Sequence, residues 1–294
     1  MFNIKSKKPF GATLVITASL FYASYGIWTV LMGDFFGGYT ASALRSVLVV
    51  GILLLFTFHL KKFEPLQLDR NWKKLLGMVV ASTLVWGLLY YSVLEVGISL
   101  ALSIDYSAIV IGLLFFGWLL ADERLTPVKI VSTILGIVGL CFVFIPTFTG
   151  VVAFLPLIAA VVSGLAVAVN MILAKQLTYN TTQATLFLWI TSVIANTPLA
   201  FILNEPMPIL EWRLEWLYLV FFALASVVAS WLLLAGMKYI DAGTAGILGL
   251  SEIVFGVAFG YLLFNERLEG VAAFGIVLIV FAAGYPYIKS RTES

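Results

Sequence analysis

The sequence predicts an all-α membrane protein whose ten transmembrane helices form two inverted repeats of five helices around a central cavity. Three observations lead to this fold class. Apolar residues make up 62% of the 294 residues and charged residues only 11%, whereas a soluble globular protein contains about 25% charged residues. Apolar runs of about 20 residues, the length that crosses a bilayer core of about 30 Å, recur throughout the chain. A sequence motif near the middle of the chain is repeated near its end.

The apolar runs predict ten spans joined by short connections, with no inserted soluble domain. A short basic start leads directly into the first run without a small-residue cleavage site, so this run is predicted to be a membrane helix and not a removable signal. The spans are predicted near residues 11–32, 38–58, 75–94, 97–121, 127–145, 152–174, 182–203, 215–237, 242–264 and 270–288.

The repeated motif reads F-G-x-L-L-x-x-E-R-L. It occurs at residues 116–125 and, 143 positions later and without a gap, at residues 259–268. A repeat period near half the chain length indicates two copies of one unit. We therefore expect a first five-helix repeat at 1–146 and a second at 151–294. Each copy of the motif closes a long apolar helix with a charged turn, which has to lie at a membrane surface.

The distribution of Lys and Arg predicts that both termini are cytoplasmic, because short basic loops stay on that side of the membrane. With the N-terminus inside, 14 of the 17 Lys and Arg residues fall on the cytoplasmic side. Five spans per repeat is an odd number, so the second repeat enters the membrane from the opposite side. Glu123-Arg124 is then cytoplasmic and Glu266-Arg267 external. Inverted repeats of this kind are typical of transporters, here in the inner membrane of the cell.

The composition excludes several classes of protein. A net charge of +2 without a basic cluster argues against nucleic-acid binding. Cys141 is the single cysteine, so an internal disulfide and a cysteine-based metal site are excluded. One interfacial histidine and short loops leave no catalytic set, so no enzyme activity, metal or cofactor is expected. The expected partners are a small-molecule substrate, membrane lipid and protons, for a monomer or weak homodimer.

The order of several short motifs identifies a family. Leu44-Arg45-Ser46 lies in span two, Lys238-Tyr239-Ile240-Asp241-Ala242-Gly243-Thr244-Ala245 leads into span nine, and Glu-Arg-Leu follows spans four and nine. Together with the ten spans, these motifs resemble EamA-type transporters of the drug/metabolite transporter superfamily. The resemblance implies a 5+5 inverted-repeat transporter whose cavity is lined by spans one, three, four, six, eight and nine. It also implies the movement of small metabolites such as amino acids, often outward.

Three charged residues lie deep within predicted spans, where a charge is costly and needs an explanation. Arg45 and Asp105 lie at similar depth, so they either form a structural ion pair or leave Asp105 facing the cavity, where it binds an amine or a proton. Arg45 is expected to be structural. Glu252, near mid-membrane without a basic partner, is predicted to couple protons and bind substrate. The alternative is a protonated carboxyl held by neighbouring Ser or Tyr hydroxyls.

Aromatic and amide side chains at helical spacing are the other predicted substrate-binding residues, since they offer flat apolar surface with single hydrogen bonds. Their alternative role is packing or anchoring at the membrane surface. They are Tyr22 and Tyr25 in span one, Trp86 and Tyr90 in span three, Tyr106 in span four, Asn170 in span six and Trp231 in span eight. The turn residues Glu123, Arg124, Glu266 and Arg267 are interpreted as structural anchors.

These predictions converge on an alternating-access secondary transporter that exports small amphipathic metabolites, such as amino acids or related amines, with proton coupling. A facilitative metabolite channel and a flippase of lipid-linked intermediates are the alternatives. The second half carries Trp189 at the place of Arg45 by a 144-residue offset. The two halves are therefore chemically unequal, as a site for an asymmetric molecule requires.

Overall fold

The computed structural model describes residues 7–59, 63–144, 154–205, 208, 211–265 and 270–292. All regular secondary structure in these residues is helical. The helices are α1 (Lys8–Met32), α2 (Gly38–His59), α3 (Leu68–Val96), α4 (Ile98–Ala121), α5 (Pro127–Phe144), α6 (Phe154–Lys175), α7 (Thr181–Ile202), α8 (Leu214–Gly236), α9 (Ala242–Gly249), α10 (Ser251–Phe264) and α11 (Gly270–Thr292).

The predicted all-α membrane fold is confirmed. Nine helical segments of the described chain are long and apolar enough to cross a membrane, with α9 and α10 together forming the ninth. The tenth predicted span corresponds to α11, whose described apolar part, Gly270–Tyr285, is shorter. Helix α3 begins at Leu68, seven residues before the predicted start. Its first turns carry charged residues and stay helical beyond the lipid core, because hydropathy marks where a chain crosses lipid and not where its helix begins.

The packing of the helices has the symmetry of an inverted repeat. Exchanging the two halves pairs α1 with α6, α2 with α7, α3 with α8, α4 with the α9–α10 span, and α5 with α11. The contact between α1 and α8 then maps onto that between α6 and α3, and the contact between α3 and α7 maps onto that between α8 and α2. Helices α2 and α7 pack on each other, as do α5 and α11. The 5+5 prediction is therefore confirmed.

Both copies of the repeated motif end their helices in the same way. Asp122 closes α4 with φ 51° and Asn265 closes α10 with φ 54°, both in the left-handed region. The N–H of Glu123, directly after the Asp122 cap, bonds to the carbonyl of Gly117 over 3.1 Å, and the cap of α10 is closed in the same way by a bond to the carbonyl of Gly260. Asp and Asn tolerate this conformation better than other residues with a side chain. The local geometry thus repeats with the 143-residue period of the sequence.

The connections between helices define the two faces of the bundle. We call the end at which α1 begins the N-terminal face; it also carries the connections that follow α2, α4, α6 and α8. The other end is the opposite face, with the connections that follow α1, α3 and α7, and with the end of α10.

Small residues allow several helices to approach closely. A Cβ atom placed on Gly139 of α5 would lie 2.8 Å from the carbonyl oxygen of Gly275 in α11. A Cβ atom on Gly164 of α6 would clash with the carbonyl oxygen of Asp105 in α4. Without a hydrophobic driving force between helices in lipid, such backbone contact is a main source of association.

Replacing Gly139 by Ala should therefore destabilise the protein by about 1–3 kcal/mol, because the added methyl group meets main-chain atoms that cannot move aside. Unfolding of the purified protein in mixed micelles measures the change. Gly51→Ala is the matched control, since a Cβ atom there has no neighbour within 4 Å. Equal stability of the two variants would contradict the assigned contact between α5 and α11.

Candidate functional site

Helices α4 and α10 bring Tyr106 and Glu252 into contact at the interface between the two repeats. The Tyr106 hydroxyl donates a hydrogen bond to Oε1 of Glu252 over 2.5 Å. This is the hydroxyl partner that the alternative interpretation of Glu252 requires. It leaves the proton-coupling interpretation open, because a phenol can donate to a carboxyl group in either protonation state.

Glu252 follows directly after a tightened turn in the ninth span. The N–H of Leu250 bonds to the carbonyl of Ile247 (3.3 Å), and the N–H of Ile253 bonds to the carbonyl of Leu250 (3.1 Å). Both bonds reach back three residues instead of four. A short stretch of this geometry within a helix often marks a functional hinge. The backbone therefore changes its winding at the point where the carboxyl group of Glu252 projects.

Two tyrosines of α1 lie within electrostatic range of this carboxyl group. The rings of Tyr22 and Tyr25 are in edge-to-face contact, with centroids 5.3 Å apart. Both phenols interact electrostatically with Glu252 and with Arg45. Four of the predicted site residues, Tyr22, Tyr25, Tyr106 and Glu252, thus form one group to which both repeats contribute. We call this group the Tyr–Glu cluster.

Arg45 of α2 is buried among aromatic rings, with 2% of its surface exposed. Its guanidinium carbon lies 4.3 Å from the ring centre of Phe222, 5.2 Å from that of Tyr25 and 5.4 Å from that of Trp189. Ring faces attract a cation, most strongly where water is excluded. These contacts hold the guanidinium inside the bundle, and the structural role of Arg45 stays a prediction.

The ion pair suggested between Arg45 and Asp105 is wrong. The ion pairs among the described residues are Lys129–Asp241, Lys175–Glu123 and Arg213–Glu211. Depth in the membrane, on which the suggestion rested, does not determine the direction in which a side chain points from its helix.

Asp105 lies instead where α4 packs against α6. It is 4% exposed, and its carboxyl group interacts with the hydroxyl of Ser163. Its Oδ1 atom has no hydrogen-bond partner among the described residues. The carboxyl groups of Asp105 and Glu252 also interact electrostatically. Asp105 therefore stays a candidate for proton or amine binding next to the Tyr–Glu cluster.

Asn170 belongs to a separate polar contact between α3, α6 and α7. Its Nδ2 donates to Oγ of Ser82 over 2.8 Å, and the hydroxyl of Ser82 is 3.5 Å from that of Thr191. Ser82 thus supplies a hydrogen-bond partner for the buried amide of Asn170. Its Oδ1 atom has no partner among the described residues.

Two predicted substrate-binding aromatics lie away from the Tyr–Glu cluster. Tyr90 is 43% exposed and packs against Tyr39 near the opposite face, with ring centres 5.7 Å apart. Trp231 is 39% exposed and donates to the hydroxyl of Thr182 over 3.1 Å. Its neighbour Ser230 takes the inward direction, since successive helical side chains point about 100° apart. The side chain of Trp86 lies outside the described residues.

A set of glutamates that was not predicted from the sequence caps helices of the other repeat. Oε2 of Glu64 accepts a hydrogen bond from the N–H of Asn180, at the start of α7 (3.2 Å). The carboxylate of Glu205 accepts from the N–H groups of Tyr39 (3.0 Å) and Thr40 (2.7 Å), at the start of α2. A Glu-Pro dipeptide that recurs after 141 positions, at 64–65 and 205–206, is the signal that predicts this pairing.

Glu123, predicted to be a structural anchor, makes the same kind of contact. Its Oε2 accepts from the N–H of Ala242, the first residue of α9 (2.7 Å), and its Oε1 forms an ion pair with Lys175 (2.7 Å). Arg124 is exposed, and its carbonyl oxygen accepts from Nζ of Lys129 (2.8 Å). The predicted anchors Glu266 and Arg267 lie outside the described residues.

Asp241 pairs with Lys129 beside this contact, over 2.6 Å. Burial alone would raise the pKa of the Asp241 carboxyl, but its hydrogen bond and ion pair with Lys129 hold that pKa below its ordinary value. A carboxyl with a lowered pKa stabilises the folded state above its unfolded pKa and loses this effect as the pH falls through the folded value. The contact is therefore complete at neutral pH and weakens only in acid.

The structure also contains a lateral cavity of about 430 Å³ between α4, α5 and α6. Neither Asp105 nor Tyr106 lines it. Its walls are mostly apolar and are formed by Leu100, Ser103, Ile104, Ser107, Ala108, Ile111, Cys141, Phe144, Val161 and Leu165.

The surroundings of Arg45 predict different couplings in double-mutant cycles. Arg45→Met and Phe222→Leu should show a coupling energy of about 0.5–2 kcal/mol, because each removes one side of a buried cation–π contact. Arg45→Met and Asp105→Asn should be additive within about 0.5 kcal/mol. Unfolding in mixed micelles measures both cycles. A larger coupling energy between Arg45 and Asp105 than between Arg45 and Phe222 would contradict the structure and support the ion pair.

Comparison with known proteins assigns the family. The sequence profile of the EamA-like transporter family matches residues 9–145 and again residues 154–285, one match in each half. A solved crystal structure superposes with a TM-score of 0.83 over 97% of this chain and 99% of its own, at 17% sequence identity, which shows a shared fold. A search of curated proteins finds no significant match. Since the two profile matches cover most of the inverted repeat described above, the chain belongs to the EamA-like family of membrane transporters.

Proposed function

We propose that the protein is an alternating-access secondary transporter that exports small amphipathic metabolites, such as amino acids or related amines, in exchange for protons. Family membership supports the general role of a membrane transporter. The Tyr–Glu cluster carries the finer proposal, because it places an ionisable group in a hydrogen bond between the two repeats.

The position of Glu252 links protonation to motion of the repeats. Its hydrogen-bond donor, Tyr106, belongs to the first repeat, while Glu252 itself follows the tightened turn of the second. Any movement of one repeat against the other alters this bond. A proton that enters or leaves the carboxyl group therefore changes the relative stability of two arrangements of the repeats, which is the requirement for coupled transport.

The chemistry of the cluster favours an amphipathic amine as substrate. The carboxyl groups of Glu252 and Asp105 attract an ammonium group, and the rings of Tyr22 and Tyr25 offer flat apolar surface beside them. A substrate ammonium and a proton then compete for the same carboxyl groups. This competition would exchange protons for substrate without a metal or cofactor.

The distribution of basic residues supports an orientation in the inner membrane of the cell. The N-terminal face carries most of the Lys and Arg residues, including Lys74, Lys129 and Lys175. Under the positive-inside rule this face would be cytoplasmic, together with both termini.

The lateral cavity favours a second candidate function. Its mostly apolar walls between α4, α5 and α6 suit an acyl or isoprenoid chain. In that case the protein would be a flippase of lipid-linked intermediates. A facilitative channel is the remaining alternative; it would pass substrate without saturation and without a requirement for protons.

If the protein exchanges protons for substrate at Glu252, the Glu252→Gln variant should no longer move protons across the membrane. A thermal-shift screen of amino acids, amines, nucleosides and aromatic compounds at two pH values first identifies a stabilising compound. When that compound is added to proteoliposomes loaded with a pH-sensitive dye, wild-type protein should change the lumenal pH and Glu252→Gln should not. Glu95→Gln is the matched control, because Glu95 is exposed at the far end of α3.

A wild-type pH response in Glu252→Gln would remove this residue from the mechanism. Stabilisation only by lipid-linked compounds, with no pH response in wild-type protein, would favour the flippase instead. Flux that rises linearly with concentration would favour a channel.

Tyr106→Phe should retain proton coupling and slow transport by roughly tenfold, because it removes one hydrogen bond to an ionisable group and keeps the carboxyl group itself. Initial rates in the same proteoliposomes measure the effect. Unchanged rates would mean that the bond between Tyr106 and Glu252 takes no part in the cycle.

A further inference from the structure

A network of polar contacts joins the two repeats at the N-terminal face. Lys175 of the second repeat pairs with Glu123 of the first over 2.7 Å, and the N–H of Ala242 donates to the same carboxylate over 2.7 Å. Lys129 of the first repeat pairs with Asp241 of the second over 2.6 Å. Each of these contacts takes one partner from each repeat.

The network is largely shielded from water. The side chains of Lys175 and Glu123 are 19% and 12% exposed, and those of Lys129 and Asp241 are 12% and 30% exposed. Partly buried ion pairs are screened by salt much less than exposed ones. Nζ of Lys175 also donates to the carbonyl oxygen of Ile240 over 3.2 Å. The contacts therefore form one connected joint between the α4–α5 turn, the end of α6 and the start of α9.

Direct packing of α4 against α9 lies behind this joint. A Cβ atom on Gly243 would lie 3.7 Å from Cβ of Leu114, and one on Gly117 would lie 3.5 Å from Cβ of Ala242. At these separations no solute passes between the two helices. A pathway along them from the N-terminal face to the Tyr–Glu cluster requires the helices to separate.

We propose that Glu123, Lys129, Lys175 and Asp241, with the N–H of Ala242, form a latch that closes the N-terminal face and has to open in every transport cycle. The structure is then the state closed at this face. Glu252 lies ten residues beyond Ala242 on the same span, so opening the latch releases the segment that leads to the cluster. The inference rests on the proposed alternating access, but its first test needs neither substrate nor protons.

The first test measures access to a buried position behind the latch. Ala245 of α9 is 1% exposed, and Ala245→Cys is combined with Cys141→Ser because Cys141 is itself exposed. The protein is held in nanodiscs, where a hydrophilic thiol reagent reaches both faces. Labelling of the introduced thiol should be slow. Adding Glu123→Gln or Asp241→Asn should accelerate it by roughly tenfold, because each removes a charge-assisted contact from the closed state only.

Glu95→Gln in the same background is the matched control. It removes an exposed carboxylate near the opposite face and should leave the labelling rate unchanged. Unchanged labelling in both latch variants would overturn the proposal, as would equal acceleration by Glu95→Gln, which would indicate general loosening. Thermal unfolding of each variant verifies that the protein is folded, and the two latch variants test different ion pairs.

A disulfide provides the second test. The spacing between Gly243 and Leu114 lies within the range of about 3.5–4.5 Å for Cβ atoms of a disulfide. Leu114→Cys with Gly243→Cys, in the Cys141→Ser background, should cross-link on oxidation and stop the proton movement driven by the stabilising compound of the screen. Reduction should restore it, which shows that the protein is folded. An oxidised protein that moves protons like the reduced one would overturn the latch.

The two tests together separate the latch from proton coupling. If the latch variants accelerate the slow labelling but the protein moves no protons, the latch is supported and proton coupling is rejected.

Discussion

The N–H groups at the start of a transmembrane helix have no partner within the helix, and lipid offers them none. Among the described residues, three helices of this protein are completed by a glutamate from the other repeat: α7 by Glu64, α2 by Glu205 and α9 by Glu123. A carboxylate in this position also interacts favourably with the helix dipole. Each repeat thus depends on the other to satisfy its own backbone, and this dependence determines how the two repeats dock.

The docked interface also explains why the two halves differ chemically. Trp189 occupies the position in the second repeat that Arg45 occupies in the first, and in the fold its ring lies 5.4 Å from the Arg45 guanidinium. Helices α2 and α7 pack on each other, so equivalent positions on them meet. A second arginine at position 189 would place two cations in one buried site. An aromatic ring there attracts the guanidinium instead. The two repeats therefore differ at the position where identical arginines would repel each other most strongly.

The fold could be predicted from the sequence because it depends on properties that can be read along the chain. Span length, the side on which basic residues fall and the 143-residue period together predict ten spans and two inverted repeats, and the packing of the helices agrees.

The grouping of side chains was harder to predict. Arg45 and Asp105 share a depth but point to different neighbours, and Trp231 points outward while Ser230 points inward. Tyr106 and Glu252 were predicted individually, but their hydrogen bond depends on the rotation of α4 and α10 about their axes. The glutamate caps were overlooked because the Glu-Pro repeat is short and its partners are main-chain atoms.

The use of main-chain atoms in these caps has a consequence for how such a duplicated protein diverges. An N–H group is supplied by every residue except proline, so the receiving end of each cap imposes almost no choice of side chain. In these particular hydrogen bonds, only the glutamate contributes a side chain. Two gene halves can therefore accumulate different residues at Tyr39 and Asn180 while the joints between them stay the same. For this reason the two halves can have weakly similar sequences and still pack with the symmetry of an inverted repeat.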